Sequence, residues 1–419
     1  MNCDILEYSK LFYKGVIKMP YTIKMPEYVN DFHCIGGACE LDCCQSWDIL
    51  WYKSEVDKLK SADCSAGLSE LIDKSFEQVK NDKLFMITLG EDGDCPFHDK
   101  SDRLCMIQKE LGEEYLSLTC RTFPQTGVIN NKTVCKYRSL GCPAVYDLIT
   151  ASADACDIFV SANRPESFDE RGYFTDKVDD VKKNPSLKHR NILFDFFYSI
   201  LSDKKNDIKT SLILGGLAAS KLSEFEKKSP ARIPEVIKAL APQIKNPDIA
   251  KSLREIKPNY LIKLGVVQSL FDNLSVGKNL RELTSSLRDY KPDGTSSVNI
   301  ERYIESAEKF YSCFEKDSFA LGNLVKSLYL DMRMPYNDRS DNIFANYAYF
   351  AVVTSSLEFL GAAAAAKSDD KQEIRQLFKS AVCAVARPLC HNTETKNVII
   401  DYLKKAGCYS LAHIALIIN

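Results

Sequence analysis

Residues 187–202 read LKHRNILFDFFYSILS. Ile192, Leu193, Phe196, Phe197, Ile200 and Leu201 recur at intervals of three and four, which puts a broad apolar face on one helix. Comparable runs follow at about 206–226, 232–243, 259–274, 298–315, 319–331, 341–366, 370–386 and 394–417. Alternation of period two is scarce, and so is the strand–helix rhythm of a doubly wound sheet. The expected fold class is therefore mainly α, with an irregular α-helical domain over 161–419. Polar segments at 163–187 and 291–297 are its candidate linkers. Leu214-Gly215-Gly216-Leu217 lies inside a helical pattern and predicts a close contact between helices rather than a phosphate-binding loop.

Upstream of that stretch the chain changes character. Of 16 cysteines, those at 34, 39, 43, 44, 64, 95, 105, 120, 135, 142 and 156 fall in one part of the sequence. The same part is broken by Gly36-Gly37, Gly90, Gly93, Pro96, Pro124, Gly141 and Pro143 into short pieces, with short helices expected at about 54–62, 66–82 and 102–114. We read residues 1–30 as an N-terminal extension and 31–160 as a loop-rich, cysteine-rich metal or iron–sulfur domain.

Charge excludes one class of function. Lys+Arg (55) and Asp+Glu (57) nearly cancel and both signs are spread along the chain, so no footprint of a nucleic-acid or anionic-membrane binder is present. The first 30 residues are punctuated by Asp4, Glu7, Lys10, Lys14, Lys18 and Lys24, so no export signal is read there, and the apolar run 350–366 reads as a buried helix. A cytoplasmic protein is expected. In a reducing compartment clustered cysteines point to metal ligation or redox chemistry before structural disulfides.

The cysteine pattern is C-x4-C-x3-C-C at Cys34, Cys39, Cys43 and Cys44, then Cys95-Pro96, Leu104-Cys105, Thr119-Cys120 and Cys142-Pro143. Paired C-x2-C knuckles of a zinc ribbon are missing, and the C-x3-C-x2-C of radical S-adenosylmethionine enzymes fails at Ser46. What remains is a set of soft thiolates delivered by separate loops. It suits iron–sulfur or zinc, with backbone N–H groups near Gly36, Gly37 and Gly141 available to sulfur. The Cys-Pro steps hold the chain extended beside the sulfur. Cys3, Cys64, Cys156, Cys313, Cys383 and Cys408 are isolated and read as small buried apolar residues.

These motifs resemble the flagellin lysine N-methylase family, whose N-terminal part is similar to bacterial cysteine-rich zinc- or iron-chelating domains. The resemblance rests on Phe32, the four cysteines that follow and Ser46-Trp47; on Cys95-Pro96-Phe97-His98-Asp99 with Leu104-Cys105; on Leu111-Gly112 and Leu116 to Pro124; and on Leu140-Gly141-Cys142-Pro143. It continues loosely through Asn323-Leu324, Pro335-Tyr336, Arg387, His391-Asn392 and Ser410-Leu411-Ala412. The family's Gly before Trp is Ser46 here, its Arg after Phe-Pro is Gln125, and a usual Leu is His98.

The resemblance implies transfer of methyl groups from S-adenosylmethionine to lysines of flagellin by an enzyme carrying a 4Fe-4S cluster. Its metal-ligand pool is Cys34, Cys39, Cys43, Cys44, Cys95, Cys105, Cys120 and Cys142. Eight thiols exceed the four of one cluster, so one cluster, two, or a zinc ion remain open. With no nucleotide-binding loop in sight, an iron with an open coordination position is the candidate dock for the methyl donor. Trp47, Trp51, Tyr52 and Tyr115 could offer faces to cations or simply pack the core. His33 and His98 flank cysteines and could ligate or shuttle a proton. Arg387 and His391, a helical turn apart, could reach the site or pair at a helix end. Two other classes compete: a non-catalytic iron or zinc binding module that docks a partner, and a thiol redox sensor.

Overall fold

A 25-residue helix, Ile343–Lys367, runs buried along almost its whole length. Its first turn is fixed by Asn342, whose side chain accepts from the Ala345 N–H at 2.7 Å. The structure, a computed structural model, describes residues 21–419 apart from 42, 45–48, 80–82, 91–92, 165–169, 275–276, 291 and 392. The central helix is long and apolar enough to cross a membrane by composition, yet its most apolar window is enclosed by the fold itself. Helices Ile208–Glu226, Ile300–Ser312, Lys371–His391 and Leu411–Ile418 pack around it.

Small residues let these helices approach. A Cβ on Gly215 would come within 2.2 Å of the Tyr347 hydroxyl, which donates to the Leu212 carbonyl at 2.7 Å. The expected helix contact at Leu214–Leu217 is thus present. Glu358 is the buried charge on the central helix. Burial pushes its carboxyl up, but Lys263 and Lys209, each 2.6 Å away, hold it down to about 2. The expected helices are found, except that the run 394–417 is two, Thr393–Lys405 and Leu411–Ile418, and helices Pro247–Arg254 and Lys278–Ser285 add to them. The polar stretch after residue 291 makes the turn between short strands Arg288–Tyr290 and Ser296–Val298.

The expectation of few strands needs correction. The described chain is mixed, and five strands form one sheet in the spatial order Phe174–Thr175, Gln125–Asn130, Thr133–Arg138, Tyr21–Pro26, Ile158–Arg164. The central hairpin turns at Asn131 with φ of 54°, and Tyr21–Pro26 joins it in parallel register, Ile23 opposite Val134. The reason alternation was faint is visible in Thr133–Arg138, whose buried residues Val134 and Tyr137 lie three apart. In the cysteine-rich part, Leu50–Tyr52, Leu84–Ile87 and Phe76–Gln78 form an antiparallel sheet, and His98–Asp99 pairs with Leu104–Cys105. The second short helix ends at Lys74 instead of reaching 82, and the third is only Met106–Leu111.

Two cores result. A large one spans the five-stranded sheet and the helices. A small one gathers Ile49, Trp51, Val56, Leu59, Leu68, Ile72, Ile87, Phe97, Ile107 and Leu116 with Cys95. Helix Phe319–Asp331 clamps the segment after Cys142 at both ends. Asp331 accepts from the Leu140 N–H at 2.7 Å and the Ser139 hydroxyl at 3.0 Å. Eight residues earlier, the Asn323 amide donates to the Ile149 and Ser152 carbonyls, at 3.0 and 2.8 Å, where helix Pro143–Ala151 ends.

Two glycine substitutions should move stability in opposite directions. Gly215→Ala forces the Tyr347 hydroxyl off Leu212 and should destabilise by about 1–3 kcal/mol, offset in part by helix propensity. Gly322→Ala meets no atom within 4 Å and should stabilise by up to about 1 kcal/mol. Thermal unfolding of both variants checks the pair; a Gly215→Ala protein as stable as Gly322→Ala would contradict the close contact.

Candidate functional site

The cysteines are presented by backbone that aims N–H groups at sulfur. The Gly36 N–H lies 3.4 Å from Cys34 Sγ, and Gly36 has φ of 54°, a left-handed conformation that glycine adopts freely. Gly37 lets this turn touch the Asp102 carbonyl, which a Cβ would approach to 2.3 Å. The Cys95 sulfur receives the Phe97 N–H across the Cys-Pro step, and the Cys142 sulfur receives those of Ala144 and Val145 across the other. The Cys105 sulfur, at the start of helix Met106–Leu111, receives those of Gln108 and Ile107. Such donors favour the thiolate, the form that binds metals.

The structure divides the eight-thiol pool. Cys43, Cys44, Cys95, Cys105 and Cys120 line one cavity of about 60 Å³, walled by Ile49, Trp51, Ile87, Phe97, Ile107, Leu116 and Phe123. Cys34 and Cys39 stand instead beside Cys142, close enough to raise its pKa further. Burial is the main reason that Cys142 is pushed up to about 11 and Cys95 and Cys120 to about 12. Cys44 is driven up by its hydrogen bond with Cys43, then by burial. Thiols in this state would release protons on taking a metal. Among the described residues, no three His, Cys, Asp or Glu side chains stand in a closed metal-binding arrangement.

The donor set nonetheless suits a thiolate-held metal centre. Five sulfurs face one mostly apolar cavity, and the Trp51 Nε1–H, on a residue 1% exposed, is buried there without a partner among the described residues. An indole N–H in that position calls for an acceptor. Sulfide or thiolate sulfur would meet it.

Other expected residues fall as follows. Tyr115 and Tyr52 are covered by protein cations, Lys58 at 4.1 Å and Arg171 at 5.6 Å. Trp51 packs edge-on against Phe76 in the small core. His98 stands opposite Cys105 in the two-residue ladder, while His33 is exposed. Trp47 and Ser46 lie outside the described residues, as does the side chain of His391. Gln125, at the family's arginine position, donates to the Tyr173 hydroxyl at 3.0 Å. Arg387 does reach the thiol region: its Nη2 donates to the Gly141 carbonyl at 3.1 Å and its guanidinium lies over Phe123.

Isolated Cys156, Cys313, Cys383 and Cys408 are buried as expected, whereas Cys64 is half-buried and Cys3 lies outside the described residues. Cys383 is less isolated than it looked, because it neighbours Cys142. Its spacing of four from Arg387 on one helix was the available signal.

Comparison with known proteins assigns the chain. A family model described as the FliB lysine N-methylase C-terminal domain matches residues 194–417, more than half of the chain. The chain belongs to the FliB lysine N-methylase family. It is accordingly a methyltransferase enzyme. Among similar proteins are the lysine-N-methylases of Salmonella choleraesuis, 24% identical over 365 residues, and of Salmonella typhimurium, 24% identical over 371; each alignment spans 80% of this chain and 86% of the relative. The flagellar biosynthetic protein FliU of Salmonella muenchen is 30% identical over 145 residues, 32% of this chain and 80% of that protein. No solved structure matches.

The loop that carries Cys142 should report on pH through Asp331. This carboxylate is fully buried, and burial raises it to about 7 against the Leu140 and Ser139 bonds that lower it. Unfolded, it would titrate near 4. Between about pH 4 and 7 the native state therefore holds one more proton than the unfolded chain, so stability falls as pH rises through that window, by a few kcal/mol. Asp331→Asn keeps an acceptor and removes the titration. Its unfolding temperature should decline less than the parent's between pH 5 and 8; an unchanged slope would show that Asp331 does not titrate there.

Proposed function

We propose that this lysine N-methylase transfers methyl groups from S-adenosylmethionine to lysine side chains of flagellin, in the cytoplasm, with an iron–sulfur cluster held in the five-cysteine cavity. Membership of the family over most of the chain supports the reaction, and the convergence of Cys43, Cys44, Cys95, Cys105 and Cys120 on one cavity is the observation that carries the cluster. The flagellin assignment draws on the names of the relatives, one of which is a flagellar biosynthetic protein.

The chemistry is a displacement at carbon. The lysine Nζ lone pair forms the new N–C bond as the C–S bond of the sulfonium breaks, leaving a neutral thioether. A lysine ammonium with a pKa near 10.4 must first lose a proton, so desolvation of the substrate amine is a requirement of the site. A bound cluster supplies thiolate-held iron that can orient a polar group and cross-link the loops that hold it. The chain's own residues do the positioning. Cys95 N–H donates to the Cys44 carbonyl at 2.8 Å, tying two ligand segments together. Glu55 joins a third, accepting from the Leu118 N–H at 3.1 Å and from Tyr52 N–H at 2.9 Å. The small apolar core beneath them is the size that profits from a metal cross-link.

Anaerobic purification followed by iron, sulfide and zinc analysis tests the centre. Iron and sulfide with visible charge-transfer absorption are expected, lost on Cys95→Ser or Cys120→Ser and kept on Cys313→Ser, whose sulfur contacts the Lys309 carbonyl in the helical part. Zinc without sulfide would remove the cluster. Incubation with flagellin and labelled S-adenosylmethionine should yield methyl-lysine by mass spectrometry; no transfer by cluster-loaded protein would refute the substrate assignment.

A further inference from the structure

Three thiols of the pool have no part in the five-cysteine cavity: Cys34, Cys39 and Cys142. Cys39 and Cys34 lie close enough to Cys142 to add to the effect of burial on its thiol. A soft divalent ion held by thiolates alone takes four of them, so this group is one sulfur short.

Helix Lys371–His391 supplies it. Three of its side chains are anchored on the segments that carry these cysteines. Gln376 donates to Glu40 Oε2 at 2.8 Å, one residue after Cys39, and Arg387 donates to the Gly141 carbonyl at 3.1 Å, one residue before Cys142. Lys379 bonds Asp147, on the helix that follows Cys142, at 2.6 Å. Helix and turn touch directly, since a Cβ on Gly141 would come within 2.7 Å of Arg387 Cγ. Cys383 lies seven residues after Gln376 and four before Arg387, so the three share one face of the helix. Along the axis it stands about 10 Å from the first anchor and about 6 Å from the last. Its side chain is buried in the same core as Cys142. Burial and then the neighbouring Cys142 push the Cys383 thiol up, and Arg387 and Lys379 pull it back.

We propose that Cys34, Cys39, Cys142 and Cys383 hold one zinc ion, separate from the iron–sulfur centre, that ties the cysteine-rich part of the chain to the helical part. None of the four is disulfide-bonded; Cys142 and Cys383 are buried, Cys39 is half-buried and Cys34 is exposed. Access to water on one side suits a redox-inert ion that needs no sulfide of its own. Among the described residues the four do not close on an ion. The turn from Cys34 to Cys39, on the open side, is the part that would close onto the two buried sulfurs, and its Gly36 N–H already lies 3.4 Å from Cys34 Sγ. The five cysteines of the cavity still exceed the four that a cluster takes.

Zinc analysis of anaerobically purified full-length protein, with the zinc affinity measured against a chromophoric chelator, tests this. About one zinc ion per chain is expected beside the iron. Cys383→Ser and Cys34→Ser should each weaken zinc binding at least about tenfold, with iron and sulfide as in the parent. Cys383 is buried, so its variant is checked for folding by circular dichroism, and the exposed Cys34 serves as the variant that leaves the core untouched. Cobalt(II) in place of zinc should give the absorption of a tetrahedral thiolate site in the parent, lost in both variants. No zinc or cobalt bound by the parent, parent-level zinc affinity in either variant, or loss of iron and sulfide on Cys34→Ser would each overturn the assignment. Iron and sulfide missing from a parent that binds zinc through Cys383 would instead refute the cluster and leave this site in place.

Discussion

The buried carboxylate of Asp331 is the point on which the two parts of this enzyme depend. It takes the N–H of Leu140 and the hydroxyl of Ser139, so the turn leading into Cys142 is held by the end of a core helix as well as by its own local bonds. Removing one partner from such a buried set costs the desolvation of the other, typically several times the net value of the bond. Asn323 closes the other end of the same segment, and Arg387 closes it from a third helix through the Gly141 carbonyl. The last ligand-type cysteine is therefore positioned by residues roughly 180–250 positions later in the chain. Helical packing and thiol geometry cannot vary independently.

This arrangement explains why the cysteines separate into two groups. The five around the small cavity sit on a module with a core of its own, built from short strands and short helices. Cys34 and Cys39 hang over its border toward Cys142, which belongs to the large core. Backbone N–H groups reach sulfur in both groups and offset part of the burial that raises the thiols' pKa. The five-membered group is enclosed by mostly apolar walls, with Gln108 among them, that would shield a cluster from water.

Much of the helical architecture was legible from residue spacing, because faces such as Leu193, Phe196, Phe197, Ile200 and Leu201 repeat over several turns and are buried, although Ile192, assigned to the same face, stays exposed. The five-stranded sheet was not. Its strands are short, Tyr21–Pro26 pairs with partners more than 100 residues away, and Thr133–Arg138 buries residues three apart, which mimics helical period. The eight thiols were legible by spacing, but their division was not, since it depends on contacts between residue 34 and residue 142. The cavity of about 300 Å³ lined by Arg190, Arg333 and Arg339 left no local trace. Arg333 holds a left-handed conformation without the glycine or asparagine that would announce it, and the residues around it come from four separate segments.

The indole of Trp51 has one further consequence. The chain contains two tryptophans, and the other, Trp47, lies a few residues away on the cysteine-bearing segment. One of the two indole emitters of this enzyme therefore sits in the wall of the thiol cavity. Its intensity and wavelength become a built-in optical gauge of what occupies that cavity, readable in a cuvette without labels and without turnover.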